Sequence, residues 1–216
     1  MDDVFSNFDV VLRAFLLTVE LFVVSGVLSL VFGTLLAACR VGPVSVLARA
    51  GAVYVSVVRN TPLLVIFIFV FLALPRLDLN VDSFFVKGCL ALTVYTSAFV
   101  CEAIRAGVNS VPLGQAEASR AIGFTFSQSM TTVVLPQAVR AVVPPLASVL
   151  IALVKNTSVA AAFGLAEATA RMKGFTNDNA DARIQIFIVF AIGYIIIVEV
   201  LSAGAAGLER RWKVAR

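Results

Sequence analysis

The sequence contains no histidine, and only 14% of its 216 residues are charged. The absence of histidine removes the commonest metal ligand and the usual general base from consideration. There are three cysteines, Cys39, Cys89 and Cys101, and their spacing is neither that of a metal site nor that of a disulfide framework. We interpret them as small buried hydrophobic residues. A metalloenzyme and a disulfide-stabilised secreted domain are therefore not expected.

Polar residues are too few to cover a soluble surface. The hydrophobic fraction is 60% and the mean hydropathy is +0.99, whereas a soluble domain is about 45–50% apolar. We therefore expect an integral membrane protein, with residues 1–216 forming a single domain. The net charge of +4 is not concentrated in a dense basic run, so nucleic acid is not an expected partner. The acidic start, Met-Asp-Asp, lacks the basic region of a cleavable signal peptide.

Long apolar runs predict five membrane-spanning helices, because each crossing needs about 20 apolar residues. The second run is interrupted by Arg59-Asn60-Thr61-Pro62. The apolar part that follows, 63–74, is too short to cross alone at about 1.5 Å per residue. This span must therefore include residues 53–58 or be broken at Pro62. The predicted spans cover about residues 14–38, 53–74, 84–104, 139–163 and 184–206.

Charge in the connections predicts the orientation of the spans. The N-terminal arm is acidic, whereas the connection after the first span carries Arg40, Arg49 and Arg59, and the C-terminal tail is again basic. Because cytoplasmic connections are enriched in Lys and Arg, we expect the N-terminus outside and the C-terminus in the cytoplasm. The segment 110–136, between the third and fourth spans, then lies in the cytoplasm.

The segment 110–136 is the longest stretch that mixes charged residues, glycine and proline. Its pattern predicts two short helices. Ser110 would cap the first, which Pro112 opens, Gly123 would break it, and Pro136 would end the second. Two interpretations are open at this point. The segment is either a surface helix–turn–helix that joins two spans or a docking element for a soluble partner.

The same segment resembles the EAA motif of the permeases of ATP-binding-cassette (ABC) importers. The residues that match at the motif's spacing are Glu117, Ala118, Gly123, Leu135 and Pro136. Two small changes are present, since Ser119 replaces the second alanine and Val133 replaces isoleucine. The resemblance implies that an ATPase binds here, with Glu117 in contact and Gly123 permitting a sharp turn. The implied coupling residues are Gln115, Glu117, Ala118, Ser119, Gly123, Leu135 and Pro136.

Polar residues inside the apolar runs are candidates for a substrate cavity, because an ionisable residue near the bilayer centre costs about 2.5–3.5 kcal/mol on insertion scales. Lys155–Ser158 is the most concentrated cluster; a snorkelling lysine with helix–helix hydrogen bonds is the alternative. For Arg59–Pro62, the alternative is an arginine at the membrane edge beside a helix kink. Glu102 has Arg105 three residues later as a partner. The cavity candidates are Arg59, Asn60, Thr61, Pro62, Glu102, Lys155, Asn156, Thr157 and Ser158.

These clusters also resemble those of one subfamily. Arg59-Asn-Thr-Pro-Leu63 is similar to the Arg-Gly/Asn-Thr-Pro-Leu motif of polar amino-acid importer permeases, the histidine, glutamine and glutamate subfamily. Glu102 and Lys155–Ser158 also match positions characteristic of it, and the overall run resembles the actinobacterial glutamate importer permeases. Many relatives carry aspartate where this chain has Asn156. The missing carboxylate reduces repulsion of an acidic side chain, which favours glutamate and leaves glutamine and aspartate open.

The resemblance implies an all-α integral membrane protein with the type I ABC importer permease fold. This fold has five transmembrane helices and a cytoplasmic coupling helix between the third and fourth spans. The implied partners in the bacterial inner (cytoplasmic) membrane are an ABC ATPase dimer, an extracytoplasmic amino-acid-binding protein and a second permease chain. For that chain the relatives suggest a paralogue, and an identical copy is the alternative. The sequence has no G-x-x-x-x-G-K-[ST] loop, so ATP and Mg²⁺ are expected on the partner ATPase, with no cofactor on this chain.

The expected function is that of a permease subunit, itself not an enzyme, which couples a partner's ATP hydrolysis to inward transport of glutamate. An ATP-independent channel or ion-coupled carrier for a small polar solute is the alternative, and an assembly scaffold is a third class. Five spans without an internal repeat argue against a self-sufficient carrier. A sequence echo of the EAA motif at 164–168 is interpreted as the outer end of the fourth span. Glu20 and Glu199 receive no role.

Overall fold

A computed structural model describes residues 6–42, 44–79 and 81–212 of the chain. Within these ranges the chain forms helices joined by turns, without a strand. We number the main helices in chain order. They are α1 Phe8–Val41, α2 Ser45–Asn60, α3 Leu63–Arg76, α4 Phe84–Asn109, α5 Leu113–Ala121, α6 Phe126–Phe163, α7 Ala168–Asp178 and α8 Arg183–Trp212. The all-helical class predicted from the sequence is confirmed.

Four helices of the described chain, α1, α4, α6 and α8, are long and apolar enough to cross a bilayer. The pair α2 and α3 is bent by 105° and forms a fifth candidate span if it is counted as one. The bend lies at Thr61, which is extended, and Pro62. Proline has no N–H and disfavours helical backbone in the residue before it. Of the two alternatives for the second span, the chain therefore takes the break at Pro62.

A stripe of small residues brings α1 against α4. Ser25, Ser29, Gly33 and Ala37 follow one another at every fourth position, and all are buried. A Cβ at Gly33 would lie 2.8 Å from the carbonyl oxygen of Ser97, so a larger residue would push the helices apart. Small residues at this spacing are typical contacts between membrane helices, because backbones pack closely where no hydrophobic driving force exists.

The interior of the bundle is built from large apolar side chains. Leu21, Phe67 and Leu153, from α1, α3 and α6, are fully buried. The outer faces of α1 and α8 instead expose apolar side chains such as Leu35 and Ile195. An apolar outer surface suits contact with lipid, where each helix satisfies its own backbone hydrogen bonds. The burial pattern therefore agrees with a multi-pass membrane protein.

The start of α5 differs from the sequence prediction. The Ser110 hydroxyl donates to the carbonyl of Gly107 at 2.7 Å, so it closes the end of α4 instead of capping α5. Pro112 occupies the position before α5 and offers no side-chain cap. Proline fits there because the first N–H groups of a helix have no intrahelical partner to lose. The predicted cap at Ser110 is wrong.

Pro136 also differs from the prediction, because α6 runs through it without ending. The π-helical turn Ser129–Val134 lies directly before it. A π-turn widens the helix, and this accommodates a residue that has no N–H and crowds the preceding turn. The segment 110–136 therefore leads directly into a candidate span, because Leu135 and Pro136 are already part of α6.

Candidate functional site

The short helix α5 is fastened to the start of α6 by one serine. Ser119 is the only buried residue of α5. Its hydroxyl lies 2.7 Å from the Ser129 hydroxyl and 2.8 Å from the Ala116 carbonyl. The serine that replaces the second alanine of the EAA motif therefore links α5 to the π-helical turn of α6. The sequence comparison treated this change as minor and did not show the link.

Gly123 ends α5 in a left-handed turn, with a φ of +95°. The Gly123 N–H donates to the Arg120 carbonyl at 3.0 Å, and the Phe124 N–H donates to the Ser119 carbonyl at 3.1 Å. These two bonds form a Schellman motif, which favours glycine because a Cβ is strained at positive φ. Thr125 then begins α6 with a capping box. The sharp turn predicted at Gly123 is confirmed.

Large apolar side chains are exposed around this turn. Leu113, Ile122 and Phe126 are each at least 70% exposed. Leu135 and Pro136 line a surface cavity of about 410 Å³ further along α6. Exposed apolar clusters with polar surroundings mark contact sites for other proteins. We call this region the α5 surface; it comprises Leu113, Gln115, Glu117, Ala118, Ile122, Gly123, Phe126, Leu135 and Pro136, all of them exposed.

A cavity of about 210 Å³ lies between α4 and α6. We call it the Asn156 cavity; its lining residues are Tyr95, Thr96, Phe99, Ser148, Val149, Ala152 and Asn156. No charged side chain belongs to this lining. The Thr96 hydroxyl is buried and has no hydrogen-bond partner among the described residues. Buried polar groups are normally paired, so this hydroxyl is an exception to that rule in the interior of the bundle.

A second cavity, of about 310 Å³, lies next to the first and is formed by α1, α2 and α4. We call it the Glu102 cavity; its lining residues are Arg40, Ala52, Val55, Ser56, Arg59, Asn60, Phe99 and Glu102. Phe99 belongs to both linings. Ionisable groups in a membrane-spanning protein are costly unless they are paired or face water. The second cavity therefore offers a polar environment to the charged groups that line it.

Glu102 is the centre of an ion cluster. Its carboxylate pairs with Arg40 of α1, with Arg105 at 3.1 Å and with Arg59 at 3.8 Å. The pairing of Glu102 with Arg105 that the spacing predicted is confirmed. Arg40 was not among the predicted site residues, because 62 positions separate it from Glu102 and no local pattern reports such a contact. Three guanidinium groups around one carboxylate leave an excess of positive charge.

The cluster Arg59–Pro62 combines both interpretations made for it. Arg59 and Asn60 line the Glu102 cavity. The Thr61 hydroxyl bonds the Val57 carbonyl at 2.8 Å, and Pro62 lies exposed at the break between α2 and α3. The first half of the cluster therefore faces a cavity, and the second half forms the kink.

The cluster Lys155–Ser158 divides in a similar way. Asn156 lines the Asn156 cavity. The Thr157 and Ser158 hydroxyls instead donate to carbonyls three residues earlier, each at 2.6 Å. Lys155 is exposed. Of the four residues of this cluster, Asn156 is therefore the one that lines a cavity described above.

The glutamate of the EAA-like echo at 164–168 is a fully buried carboxylate, and the sequence pattern did not predict its burial. Glu167 precedes α7 and accepts a hydrogen bond from the Ala170 N–H at 3.0 Å. Its other oxygen accepts from the Tyr194 hydroxyl at 2.7 Å and lies 3.4 Å from the Thr18 hydroxyl. This carboxylate therefore joins α1, α7 and α8, and it is inaccessible to a docking partner. Gly164, which adopts a left-handed backbone conformation, could have indicated a helix end before Glu167. The hydrogen-bond partners of Glu167 could not be predicted, because Thr18 and Tyr194 lie too far away in the sequence.

Replacement of Glu167 by alanine is expected to destabilise the fold. The Ala170 N–H would lose its side-chain acceptor, and the Tyr194 hydroxyl would keep only the Thr169 hydroxyl as a partner, at a total cost of about 1–3 kcal/mol. For a chain of this size each kcal/mol corresponds to roughly 2–4 °C in the unfolding temperature. Thermal unfolding in detergent measures this shift, and Glu167→Gln, which keeps one acceptor oxygen, should lose less. The exposed carboxylate of Glu117 is the control; an equal effect of Glu117→Ala would contradict the prediction.

Comparisons with known proteins agree with this architecture. Residues 29–214 match the family described as binding-protein-dependent transport system inner membrane component. The glutamate transport system permease protein GluC of Corynebacterium efficiens is 38% identical over an alignment 216 residues long, which covers 95% of this chain and 95% of that protein. The probable glutamine ABC transporter permease protein GlnM of Bacillus subtilis is 37% identical over 209 residues, which are 96% of this chain and 95% of that protein.

The fold is also similar to solved structures. A crystal structure of an amino acid ABC transporter with histidines superimposes with a TM-score of 0.89, at 25% sequence identity and with 97% of each chain covered. The MetNI methionine ABC transporter in an inward-facing conformation gives a TM-score of 0.75 at 20% identity, covering 97% of this chain and 99% of that chain. At that identity the second likeness concerns the fold alone.

The chain therefore belongs to the inner membrane components of binding-protein-dependent transport systems. It is a permease subunit of an amino-acid ABC importer, and the resemblance seen in the sequence is confirmed together with the type I importer fold. Permease subunits of this kind are not enzymes, because the ATPase is a separate subunit that binds the nucleotide. The family implies an ATPase, a substrate-binding protein and a second permease as partners.

Proposed function

We propose that this chain moves glutamate into the bacterial cytoplasm and that ATP hydrolysis by a partner subunit drives the movement. One observation carries the proposal: α5 connects α4 and α6, the two helices that line the Asn156 cavity. A partner that displaces α5 therefore shifts both walls of this cavity at once. Such a connection is what a soluble ATPase needs in order to bias a membrane cavity between two conformations.

The α5 surface is the proposed docking site of the ATPase. Its exposed apolar residues offer the contact area, Glu117 offers a charge, and Gly123 holds the turn. The N-terminus lies outside and the C-terminus in the cytoplasm in this proposal, since the basic connections put the α5 surface on the cytoplasmic side. ATP binding closes the ATPase dimer and opens the cavity outward to the binding protein, and hydrolysis returns it inward. The second permease chain is a paralogue of this one.

Glutamate as the substrate is supported by the relatives and by the cavity lining. The similar GluC of Corynebacterium efficiens is named as a glutamate transport system permease protein. The Asn156 cavity contains no carboxylate that would repel an acidic side chain. The Asn156 amide supplies both hydrogen-bond donors and an acceptor.

The test is ATP hydrolysis by the reconstituted complex. The chain is assembled with its co-purifying partners and given a binding protein loaded with glutamate or with arginine. Stimulation by glutamate but not by arginine is the expected result. Stimulation by a different amino acid would refute glutamate and leave the importer mechanism standing. Uptake that proceeds without ATP would instead favour the channel or carrier alternative.

Replacement of Asn156 by aspartate is expected to slow glutamate transport at least about tenfold. Two like charges 4 Å apart repel by about 4 kcal/mol at an effective dielectric constant of 20, and 1.4 kcal/mol already corresponds to a factor of ten. The measurement is the uptake rate at saturating, glutamate-loaded binding protein. Asn177→Asp, the same chemical change at an exposed position of α7, should keep the wild-type rate. An unchanged rate in Asn156→Asp would show that Asn156 does not face the acidic group.

A further inference from the structure

One aromatic ring is shared by the two cavities. Phe99 of α4 lines both the Asn156 cavity and the Glu102 cavity. Its ring packs against Tyr95 at a centroid distance of 4.9 Å, and the Arg59 guanidinium carbon lies 5.5 Å from the centre of the ring. The side chain is only partly buried. A change of rotamer at such a site is fast compared with the domain motions that limit transport.

Arg59 is the most loosely held arginine of the ion cluster around Glu102. Its distance of 3.8 Å to the carboxylate exceeds the 3.1 Å of Arg105, and Arg40 is closer still. The Arg59 side chain is 46% exposed, against 14% for Arg40. An exposed ion pair at this distance is weak, so Arg59 exchanges Glu102 for another carboxylate at little cost. Glu102 keeps its other two partners when this happens.

The order of the two cavities along α4 predicts the order in which a transported amino acid meets them. Tyr95 precedes Phe99, and Glu102 follows it by about one turn, toward Asn109, where α4 leads into α5. The Glu102 cavity is therefore the one nearer the α5 surface. In the proposed orientation this is the cytoplasmic side, so an amino acid that moves inward leaves the Asn156 cavity and then meets the Glu102 cavity.

We propose that Phe99 is the cytoplasmic gate between two stations of the translocation path and that Arg59 is the residue that positions it. The inference rests on the proposed importer function and deepens it. The Arg59 guanidinium stacks on the ring and holds it across the path, as cations do over aromatic faces. Once hydrolysis has returned the complex to the inward conformation, a carboxylate in the Asn156 cavity is drawn toward the excess positive charge of the Glu102 cavity and competes with the ring for Arg59. The ring then rotates aside, and the amino acid passes with its carboxylate on Arg59.

The test measures leakage through the whole complex with its outer side open. Proteoliposomes are preloaded with radiolabelled glutamate, and the complex contains ATPase subunits that bind ATP without hydrolysing it. With ATP present, the inner gate alone retains glutamate. Phe99→Ala is expected to release it at least about tenfold faster than wild type, which corresponds to a barrier lowered by about 1.4 kcal/mol. Phe99→Tyr, which keeps the ring, should release it at the wild-type rate.

The nucleotide dependence distinguishes a gate from general damage. Without ATP the outer side is closed, so Phe99→Ala should be as tight as wild type. Equal release by Phe99→Ala and wild type with ATP would overturn the proposal, and so would fast release of the mutant without ATP. Phe187→Ala, which removes an exposed ring of α8, is the matched control and should behave like wild type. If the wild-type complex accumulates another amino acid, the glutamate assignment fails and the gate is measured with that amino acid.

Substitutions of Arg59 test separately whether this residue holds the Phe99 ring in place. Lysine keeps the charge but lacks the planar group that stacks on a ring and pairs with a carboxylate through two hydrogen bonds. Arg59→Lys is therefore expected to leak at an intermediate rate in the ATP-bound state, and Arg59→Gln nearly as fast as Phe99→Ala. Arg49→Gln, at an exposed position of α2, is the control. Wild-type tightness in Arg59→Gln would show that packing alone holds the ring, and it would overturn the role of Arg59.

Discussion

Replacement of Gly123 by proline is expected to abolish coupled amino-acid uptake while the complex still inserts into the membrane and hydrolyses ATP. The φ of Gly123 is +95°, whereas a proline ring holds φ near −65°. Proline also removes the N–H that donates to the Arg120 carbonyl at 3.0 Å. The end of α5 must then rearrange, and the α5 surface no longer meets the ATPase in the same geometry. We expect the number of amino acids transported per ATP to fall at least about tenfold, the equivalent of roughly 1.4 kcal/mol.

Two milder glycine substitutions calibrate this result. Gly123→Ala keeps the N–H but places a Cβ at positive φ, where strain of order 1–3 kcal/mol is expected, so its coupling should be intermediate. Gly114→Ala lies in the same helix, and its Cβ would meet nothing within 4 Å. Since alanine favours a helix, this control should couple normally. Uptake at the wild-type ratio in Gly123→Pro would show that the segment does not dock the ATPase.

Replacement of Glu102 by glutamine is expected to have a comparably large effect on stability and transport. Three guanidinium groups would then lie close together without an anion between them. Removing one partner of a buried ion pair costs about 3–5 kcal/mol, and the lower end applies because the carboxylate is 21% exposed. We expect the unfolding temperature of the purified complex to fall by roughly 5–10 °C, and the uptake rate to fall with it. An unchanged unfolding temperature would show that the cluster contributes no net stability.

A double-mutant cycle separates this charge effect from the loss of packing. Arg40 is the closest and most buried partner of Glu102. In the variant that combines Arg40→Gln with Glu102→Gln, neutral side chains replace the strongest pair. The combined loss should be smaller than the sum of the single losses by about 1–3 kcal/mol. The exposed pair of Asp9 and Arg13, 3.9 Å apart, is the control and should couple by less than about 0.5 kcal/mol. Additive losses at Arg40 and Glu102 would contradict the prediction.

The helices were predictable because their signals are local. Apolar runs of about 20 residues indicate spans, and α1, α4, α6 and α8 contain four of the five predicted ranges. The break at Pro62 and the turn at Gly123 follow from residue types that restrict or permit particular backbone angles. The prediction that Pro136 ends a helix was wrong. It rested on the proline alone, whereas the π-turn that accommodates this proline has no comparably strong signature in the sequence.

The link between Ser119 and Ser129 shows where local reasoning stops. Both residues are small and unremarkable in sequence, and they meet because the Schellman turn at Gly123 folds α6 back onto α5. A motif comparison can place a residue in a family pattern without showing what its side chain contacts. The same holds for Asn156 and Thr157, which are neighbours in one polar cluster, while only the first lines a described cavity.

The sequence by itself determined the class of this protein: a membrane bundle with a polar segment between two spans and with the motifs of an importer permease. The tertiary structure alone decided which polar groups meet. Glu102 finds Arg40 across 62 positions, and Glu167 lies near Thr18 across 149 positions. Phe99 lines two cavities only because α1, α2 and α6 pack around α4. The physical reason is that hydropathy and backbone preference act between neighbours along the chain, whereas ion pairs, buried hydrogen bonds and cavities depend on how distant helices pack.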